Sequence, residues 1–309
     1  MSRPEPYPGR IAHTYSIVAR DERTGDLGVA VQSHWFSVGT TVAWARAGVG
    51  AVATQAMANP AIGPDALALM QQGASSQDAL GSVLEKDPGR ELRQVGVIDT
   101  RGLSSAHTGA RCIEAAGHRT GKGYSVQANM MTSDKVWPAM AEEFESSHGQ
   151  LAERMLATLE AAEEAGGDIR GRQSACLLVV RGHPTGMEWK DRLVDLRVDD
   201  SSNPVKELRR LLKVHRAYEH MDAGDIAMEE GKMDVAKDHY SAAEEMFPYN
   251  EEMAFWHAVT LANVGDLQGA IPLFSQVFER NPDYKVLAAR LVPVNMLRLQ
   301  PEEMERILR

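Results

Sequence analysis

Alternating apolar and polar positions, interrupted by glycine and proline, divide the first two thirds of the chain into short strands and longer helices. Residues 14–19 and 27–32 are rich in β-branched and apolar side chains and flank a polar turn with Gly25, a pattern that predicts a β-hairpin. Two strands alone are marginally stable, so the hairpin must belong to a larger sheet. Further strands are predicted at residues 40–47, 51–58, 94–99, 103–107, 124–129, 174–182 and 191–199.

Two pairs of helices are predicted between these strands. Apolar spacing favours helices over residues 64–73 and 76–87, the second beginning at the capping pattern Ser76-Gln77-Asp78. Amphipathic helices follow at about residues 134–145 and 150–165. The order of strands, two helices, strands, two helices and strands is typical of antiparallel sheets with helices on their outer faces.

The two ends of the chain differ from this central part. Residues 1–12 contain Pro4, Pro6 and Pro8, which favour extended and unpaired backbone. This segment is either a disordered tail or a pro-segment that is removed. The predicted domains are a flexible N-terminal segment at residues 1–13, a first domain at 14–216 and a helical domain at 217–309.

The C-terminal domain carries an internal repeat. Four residues recur 34 positions later, and this period matches the tetratricopeptide repeat: Gly231, Ala236, Tyr240 and Pro248 return as Gly265, Ala270, Phe274 and Pro282. Helices at residues 206–216 and 285–298 would flank the two repeats. Their surface is a candidate site for a protein partner, for packing on the first domain or for a homo-oligomer contact.

Composition excludes several classes of function. The formal net charge of -10 is spread in mixed-sign clusters, so neither a nucleic acid nor a membrane surface is an expected partner. Cys112 and Cys176 form no CxxC pattern, which argues against a disulfide framework and a thiolate zinc site. Neither an apolar signal core nor an apolar run of about 18 residues occurs. We therefore expect a cytoplasmic protein.

Thr14 is the candidate nucleophile. A hydroxyl residue that opens a strand after a dispensable segment is typical of N-terminal nucleophile (Ntn) hydrolases, in which the free α-amine of the first residue acts as base for its own side chain. The alternative is an ordinary β-branched strand residue.

Eight runs that occur in order carry a family resemblance: YSIVARD, GVGAVATQAMANP, RQVGVIDTRG, AHTGARCIEAAGHRTG, YSVQANMM, GGDIRGRQSACLLVV, VDLRVDD and PVKELRRLL. Over residues 14–212 the chain resembles the Ntn-hydrolase-like family catalogued as domain of unknown function 1028. The resemblance implies an α+β fold with a four-layer αββα sandwich and the hydrolysis of an amide bond. It names no substrate. Family members often start close to the nucleophile position, so a free terminus in this chain requires cleavage after His13.

Three residues are candidates for supporting the chemistry of Thr14. Arg46 would be the cation that lowers the pKa of the α-amine and keeps it a neutral base, unless it is a solvated strand charge. Gln55 and Asn129 lie near strand ends and would donate to the oxyanion of the reaction, or else satisfy local backbone groups.

Other polar residues are supporting candidates. Ser33 and Asp21 would orient the terminal amine, although Asp21 also suits a turn. Cys112 with His107 or His118 is a second possible nucleophile pair, unless the cysteine is structural. His107, His118 and Asp168 lack the spacing of metal ligands, so we expect neither a metal nor another cofactor.

Two functional hypotheses follow. The first is a hydrolase that cleaves an amide bond in a small molecule or peptide with Thr14 as nucleophile. The second is a non-catalytic scaffold whose helical repeats bind a protein partner. Persistence of the N-terminal segment in the mature protein would favour the second hypothesis, because Thr14 would then lack a free amine.

Overall fold

The computed structural model describes residues 10–12 and 14–309. The chain divides into two compact units, Met1–Leu211 and Leu212–Arg309. The strands and helices of the first unit are β1 Arg10–Ala12, β2 Thr14–Arg20, β3 Leu27–Ser33, α1 Gly39–Val42, β4 Ala43–Arg46, β5 Gly50–Ala58, α2 Ile62–Gln71, α3 Ser76–Glu85, β6 Arg93–Asp99, β7 Ser104–Thr108, β8 Gly117–Gly121, β9 Tyr124–Ala128, α4 Val136–Ser146, α5 Leu151–Glu164, β10 Ser174–Val180, α6 Glu188–Asp191 and β11 Arg192–Val198. A 3₁₀ turn, Arg90–Leu92, precedes β6.

The strands of the first unit form two antiparallel sheets. The five-stranded sheet has the order β1-β5-β6-β7, and β4 also pairs with β5. The six-stranded sheet has the order β11-β10-β3-β2-β9-β8, which places β2 between β3 and β9. The hairpin predicted from the sequence is thus β2 and β3, with Thr14 opposite Ser33.

Alternate residues of the strands pack on opposite faces of each sheet, one face against the other sheet and one against the helices. Val18 and Val31 of the six-stranded sheet pack in one cluster with Ala53 and Ile98 of the five-stranded sheet, so every second residue of these strands faces the other sheet. The intervening residue Val52 instead packs with α2 and α3. The predicted mixed α+β class is confirmed, because both strands and helices build this unit.

The second unit is helical. It contains the C-terminal part of α7 Pro204–Glu229, followed by α8 Met233–Met246, α9 Glu251–Asn263, α10 Leu267–Arg280, α11 Asp283–Leu291 and α12 Pro301–Leu308. Equivalent positions of the 34-residue period have equivalent environments: Tyr240 of α8 and Phe274 of α10 are both fully buried. A helical C-terminal region is confirmed, and the predicted boundary after residue 216 falls inside α7.

Several predicted elements differ from the structure. Residues 10–12 form a strand paired with β5 and are not unpaired as predicted, whereas the rest of the predicted N-terminal segment, residues 1–9 and 13, lies outside the described residues. Residues 39–42 are helical before β4 begins, because Thr40 Oγ1 and Val42 N bond back to the carbonyls of Ser37 and Val38. The strand β8 was not predicted, because its polar residues, GHRTG, lack the alternation of a half-buried strand.

The predicted helix at residues 285–298 is also shorter in the structure. It ends at Leu291, because Pro293 lacks a backbone N–H and restricts the residue before it. Across residues 10–12 and 14–309, every helix is too short or too polar to traverse a lipid bilayer.

Candidate functional site

Thr14 opens β2 at one end of the six-stranded sheet, and its side chain is fully buried. The Thr14 carbonyl oxygen accepts hydrogen bonds from the backbone N–H of Asn129 at 3.1 Å, from Gln55 Nε2 at 3.1 Å and from Asn129 Nδ2 at 3.3 Å. Gln55 belongs to the other sheet. The backbone of Thr14 is therefore held from both sheets, and two residues predicted for the site contact it.

Gln94 connects the two amide side chains that hold Thr14. Its Oε1 accepts from Gln55 Nε2 at 2.8 Å and from Asn129 Nδ2 at 2.9 Å. Its Nε2 donates to the carbonyl of Ala128 at 2.8 Å and to Thr108 Oγ1 at 2.9 Å. Because the amide N–H groups of Gln55 and Asn129 already have acceptors, this arrangement uses both residues to position Thr14.

Ser16, the next inward-facing residue of β2, extends the same network. Its Oγ donates to Gln55 Oε1 at 2.6 Å and accepts from Gln127 Nε2 at 2.7 Å. A Cβ at Gly96 would lie 2.2 Å from Gln127 Oε1, so only glycine leaves room for the buried amide. Buried polar groups are costly unless they are hydrogen-bonded, and a satisfied network of this kind makes the interior rigid.

His118 and Thr108 continue the network to the surface. His118 Nδ1 and Thr108 Oγ1 are 2.8 Å apart, and both residues line a cavity of about 680 Å³. Burial, and then the nearby charge of His107, lowers the pKa of His118, which favours the neutral ring at pH 7. The wall of this cavity is thus hydrogen-bonded through Gln94 to the groups that hold Thr14.

Cys112 lines the same cavity as His118. Burial raises the pKa of its thiol, and the Sγ–H donates to the carbonyl of Arg93 at 3.4 Å. Within the described parts of the chain, Cys112 makes no hydrogen bond to a histidine. A thiol that stays protonated is a poor nucleophile, so the surroundings of Cys112 do not activate it.

An ion pair with a buried carboxylate lies near the same end of β2. Asp168, whose side chain is fully buried, accepts from Arg170 Nη2 at 2.7 Å and from the backbone N–H of His34 at 3.3 Å. His34 directly follows Ser33, the residue opposite Thr14. From the sequence, Asp168 was considered only as a possible metal ligand. The described residues contain no cluster of three His, Cys, Asp or Glu side chains suited to a metal ion.

The structure places two other predicted residues away from Thr14. Arg46 lies opposite Gly50, five residues along β5 from Gln55 and therefore on the order of 16 Å away, and it donates to Gln71 Oε1 at 2.6 Å. Asp21 follows the far end of β2, where its Oδ1 accepts from the backbone N–H groups of Arg23 and Thr24 in a tight turn.

His107 is likewise not joined to Thr14, since its Nε2 bonds the carbonyl of Arg90 at 2.9 Å. Gln94 and Gln127 were not predicted as site residues from the sequence. The sequence nevertheless marks both residues. Each is a buried polar residue in a strand that otherwise consists mainly of small or apolar residues, which is the pattern that could have identified them.

Comparison with known proteins places the chain in a family. Residues 14–208 match the family described as a family of unknown function, DUF1028. The chain belongs to the DUF1028 family. A solved structure matches as well: protein SPO2555 from Silicibacter pomeroyi, a DUF1028 protein, is 32% identical with a TM-score of 0.60, over 65% of this chain and 85% of that chain. No curated protein matches the chain.

The DUF1028 match begins at Thr14 and ends within α7. It therefore includes β2, β5, β6 and β9, the strands that supply the network around Thr14. The helices from α8 onward lie outside the match.

Proposed function

We propose that the DUF1028 part of this chain is an Ntn-type hydrolase of amide bonds, built as a four-layer αββα sandwich, with Thr14 as its nucleophile. The observation that carries the proposal is the position of Thr14 at the start of β2, with its carbonyl held by three donors from Gln55 and Asn129. The proposal requires cleavage after His13, which turns the backbone nitrogen of Thr14 into a free α-amine. That amine would be the base of the reaction.

The proposed reaction has two steps. In the first, the amine takes the proton of Thr14 Oγ as Oγ attacks the amide carbon, and the resulting tetrahedral intermediate expels the leaving amine, which receives that proton. An ester between Thr14 and the acyl group remains. In the second step the same amine takes a proton from water, the hydroxide attacks the ester, and the acid product leaves as Oγ is reprotonated.

Gln55, Asn129 and Gln94 act as positioning residues in this proposal. They fix the Thr14 carbonyl and thereby the direction in which the amine and Oγ point. Misplacement of a reacting group by about 1 Å costs roughly 100-fold in rate, so a rigid support of this kind has catalytic value. The Asp168–Arg170 pair, whose carboxylate accepts from the backbone N–H of the residue after Ser33, is proposed to orient the terminal amine, the role that the sequence suggested for Ser33 and Asp21.

The cavity beside His118 is proposed to hold one end of the substrate. Its volume of about 680 Å³ suits a small molecule or a short peptide segment. Glu114, Asp134 and the indole of Trp137 line it, and these groups favour a neutral or cationic substrate group over an anionic one. Thr14 lies two strand spacings from β8, about 10 Å, on the other side of β9, so this cavity would hold a part of the substrate remote from the scissile amide, and the amide itself must reach Thr14 Oγ.

A second candidate function concerns the uncleaved chain. In that form β1 precedes Thr14 and pairs with β5, so Thr14 has no free amine. We propose that the 34-residue repeats in α8–α10 are tetratricopeptide-like and bind a protein partner, which would leave the uncleaved protein as a scaffold.

Comparison of three proteins on a panel of amide substrates tests the hydrolase. We expect Thr14→Ser to retain turnover, because it keeps a hydroxyl and the amine, and Thr14→Ala to lose at least about 1,000-fold. Melting curves of the variants provide the folding control. Turnover by a folded Thr14→Ala variant at the rate of the unchanged protein would refute the assignment of Thr14.

A further inference from the structure

A second cavity, of about 580 Å³, lies at the other end of β2. It is lined by the end of β2 and the turn after it, by the β8–β9 turn and by the connection between α4 and α5. Arg20, which lines it, is the last residue of β2, whereas Thr14 is the first. Six residues of strand separate them by on the order of 20 Å, so this cavity is distinct from the proposed catalytic centre.

The carboxylates that line this cavity already have partners. Asp21 accepts from two backbone N–H groups of its own turn. Glu22 pairs with Lys122 at 2.9 Å, and Glu145 pairs with Arg119 at 3.1 Å and accepts from the Tyr124 hydroxyl. Glu22 and Glu145 are thus paired with cations, Asp21 is hydrogen-bonded within its own turn, and none of these carboxylates forms an ion pair with the remaining arginines.

Three arginines on the same cavity have no such compensation. Among the residues that the structure describes, Arg20, Arg23 and Arg154 have no carboxylate within ion-pair distance. The Nε atoms of Arg20 and Arg154 are buried and have no hydrogen-bond partner. Arg154 is held in place, because its guanidinium stacks 4.1 Å from the Phe144 ring centroid and donates to the Phe144 carbonyl at 2.9 Å.

Partly buried guanidinium groups without a carboxylate partner are energetically unfavourable. Arginine stays charged at all ordinary pH values, and partial burial of the Arg20 and Arg154 charges without a carboxylate partner costs free energy. The chain as a whole has a formal net charge of -10, whereas this cavity is lined by four cationic side chains and three carboxylates, so the local charge is opposite in sign to the overall charge. A bound anion would supply the missing negative charge and remove this free-energy cost.

We propose that this cavity binds a small molecule that carries a phosphate or carboxylate group. The planar fork of arginine matches both groups through paired hydrogen bonds. The cavity volume lies within the range of small-ligand sites and exceeds what a single inorganic anion needs. His148 lines the cavity beside the arginines and adds a donor.

Isothermal titration calorimetry with inorganic phosphate, pyrophosphate and citrate, each at ionic strength matched with sodium chloride, tests the proposal. We expect saturable binding of at least one of these anions to the full chain, and the stronger of pyrophosphate and citrate identifies the preferred group. The affinity should fall at least about tenfold in Arg20→Gln and Arg154→Gln, the size expected for one lost charge-assisted interaction.

Two further variants keep the test decisive. Arg23→Gln alters an exposed side chain, so it should fold normally and still weaken binding about threefold. Arg192→Gln removes an arginine that pairs with Asp195 outside this cavity, and it should bind as the unchanged protein does. Absence of saturable binding by all three anions, or equal affinity in Arg23→Gln, Arg154→Gln and Arg192→Gln, would overturn the proposal. Thr14 variants should bind these anions normally, which separates this test from that of the hydrolase.

Discussion

Replacement of Gln94 by methionine tests the network that holds Thr14. The change keeps the approximate length of the side chain but removes both polar atoms. Gln55 Nε2 and Asn129 Nδ2 then lose an acceptor, and each buried N–H left without a partner costs about 1–3 kcal/mol. Gln55 Nε2 retains a longer alternative, the Gln127 carbonyl at 3.3 Å, so its cost lies near the lower end. We expect Gln94→Met to lower the free energy of unfolding by about 3 kcal/mol.

Urea denaturation followed by tryptophan fluorescence measures this loss. Trp256 lies in the second unit, so Trp256→Phe should be present in every protein compared, which leaves the remaining tryptophans to report on the first unit. Gln77→Met is the matched control, because Gln77 is exposed on α3 and its replacement should stay within about 0.5 kcal/mol. A Gln94→Met loss below about 1 kcal/mol would show that the bonds of Gln94 contribute little, and would remove the argument for a rigid support of Thr14.

Three further predictions concern packing and charge. Gly96→Ala should destabilise the first unit by about 1–3 kcal/mol, because the added Cβ overlaps Gln127. Gly81→Ala, on α3 with open space around its Cβ, should instead stabilise this unit by about 0.5–1 kcal/mol. Equal melting temperatures of the two variants would contradict this prediction. Burial raises the pKa of Asp87, but hydrogen bonds from Arg93, Gly89 and Asn59 outweigh burial and lower the pKa below the ordinary value of 3.8. The stability that ionised Asp87 contributes is therefore fully present above pH 3.8 and is lost as the pH falls through the pKa of the folded state. Asp87→Asn should accordingly cost about 3 kcal/mol at pH 7 and less in urea titrations below pH 3.8, and a cost independent of pH would contradict the ion pair. Phe274→Ala, which empties a fully buried position of α10, should cost the second unit about 3–5 kcal/mol by circular dichroism, in contrast to a negligible effect of the exposed change Val286→Ala.

Local elements of the fold were predictable because their signals are local. The hairpin of β2 and β3 follows from two β-branched runs and a turn, and α3 from its apolar spacing and its capping serine, which in the structure is Ser75. Strand β8 and the end of α11 depended on weaker signals, a polar edge strand and a single proline at position 293.

The site was predictable only in part, because its contacts join distant parts of the chain. Gln55 and Asn129 were singled out as amides near strand ends, but the pairing that brings Asn129 to Thr14 spans 115 residues. Sequence patterns do not give the order or direction of strands within a sheet. For that reason Arg46, which belongs to a strand beside β5, could not be assigned to the correct end of that strand.

Whether Thr14 becomes the first residue is the central question for the proposed hydrolase, and the intact mass of the purified, active protein answers it most directly. We expect a mass that corresponds to a chain starting at Thr14, with residues 1–13 absent. A preparation that hydrolyses amides and whose whole mass corresponds to a chain retaining residues before Thr14 would contradict this expectation, because Thr14 would then lack the α-amine that the mechanism requires.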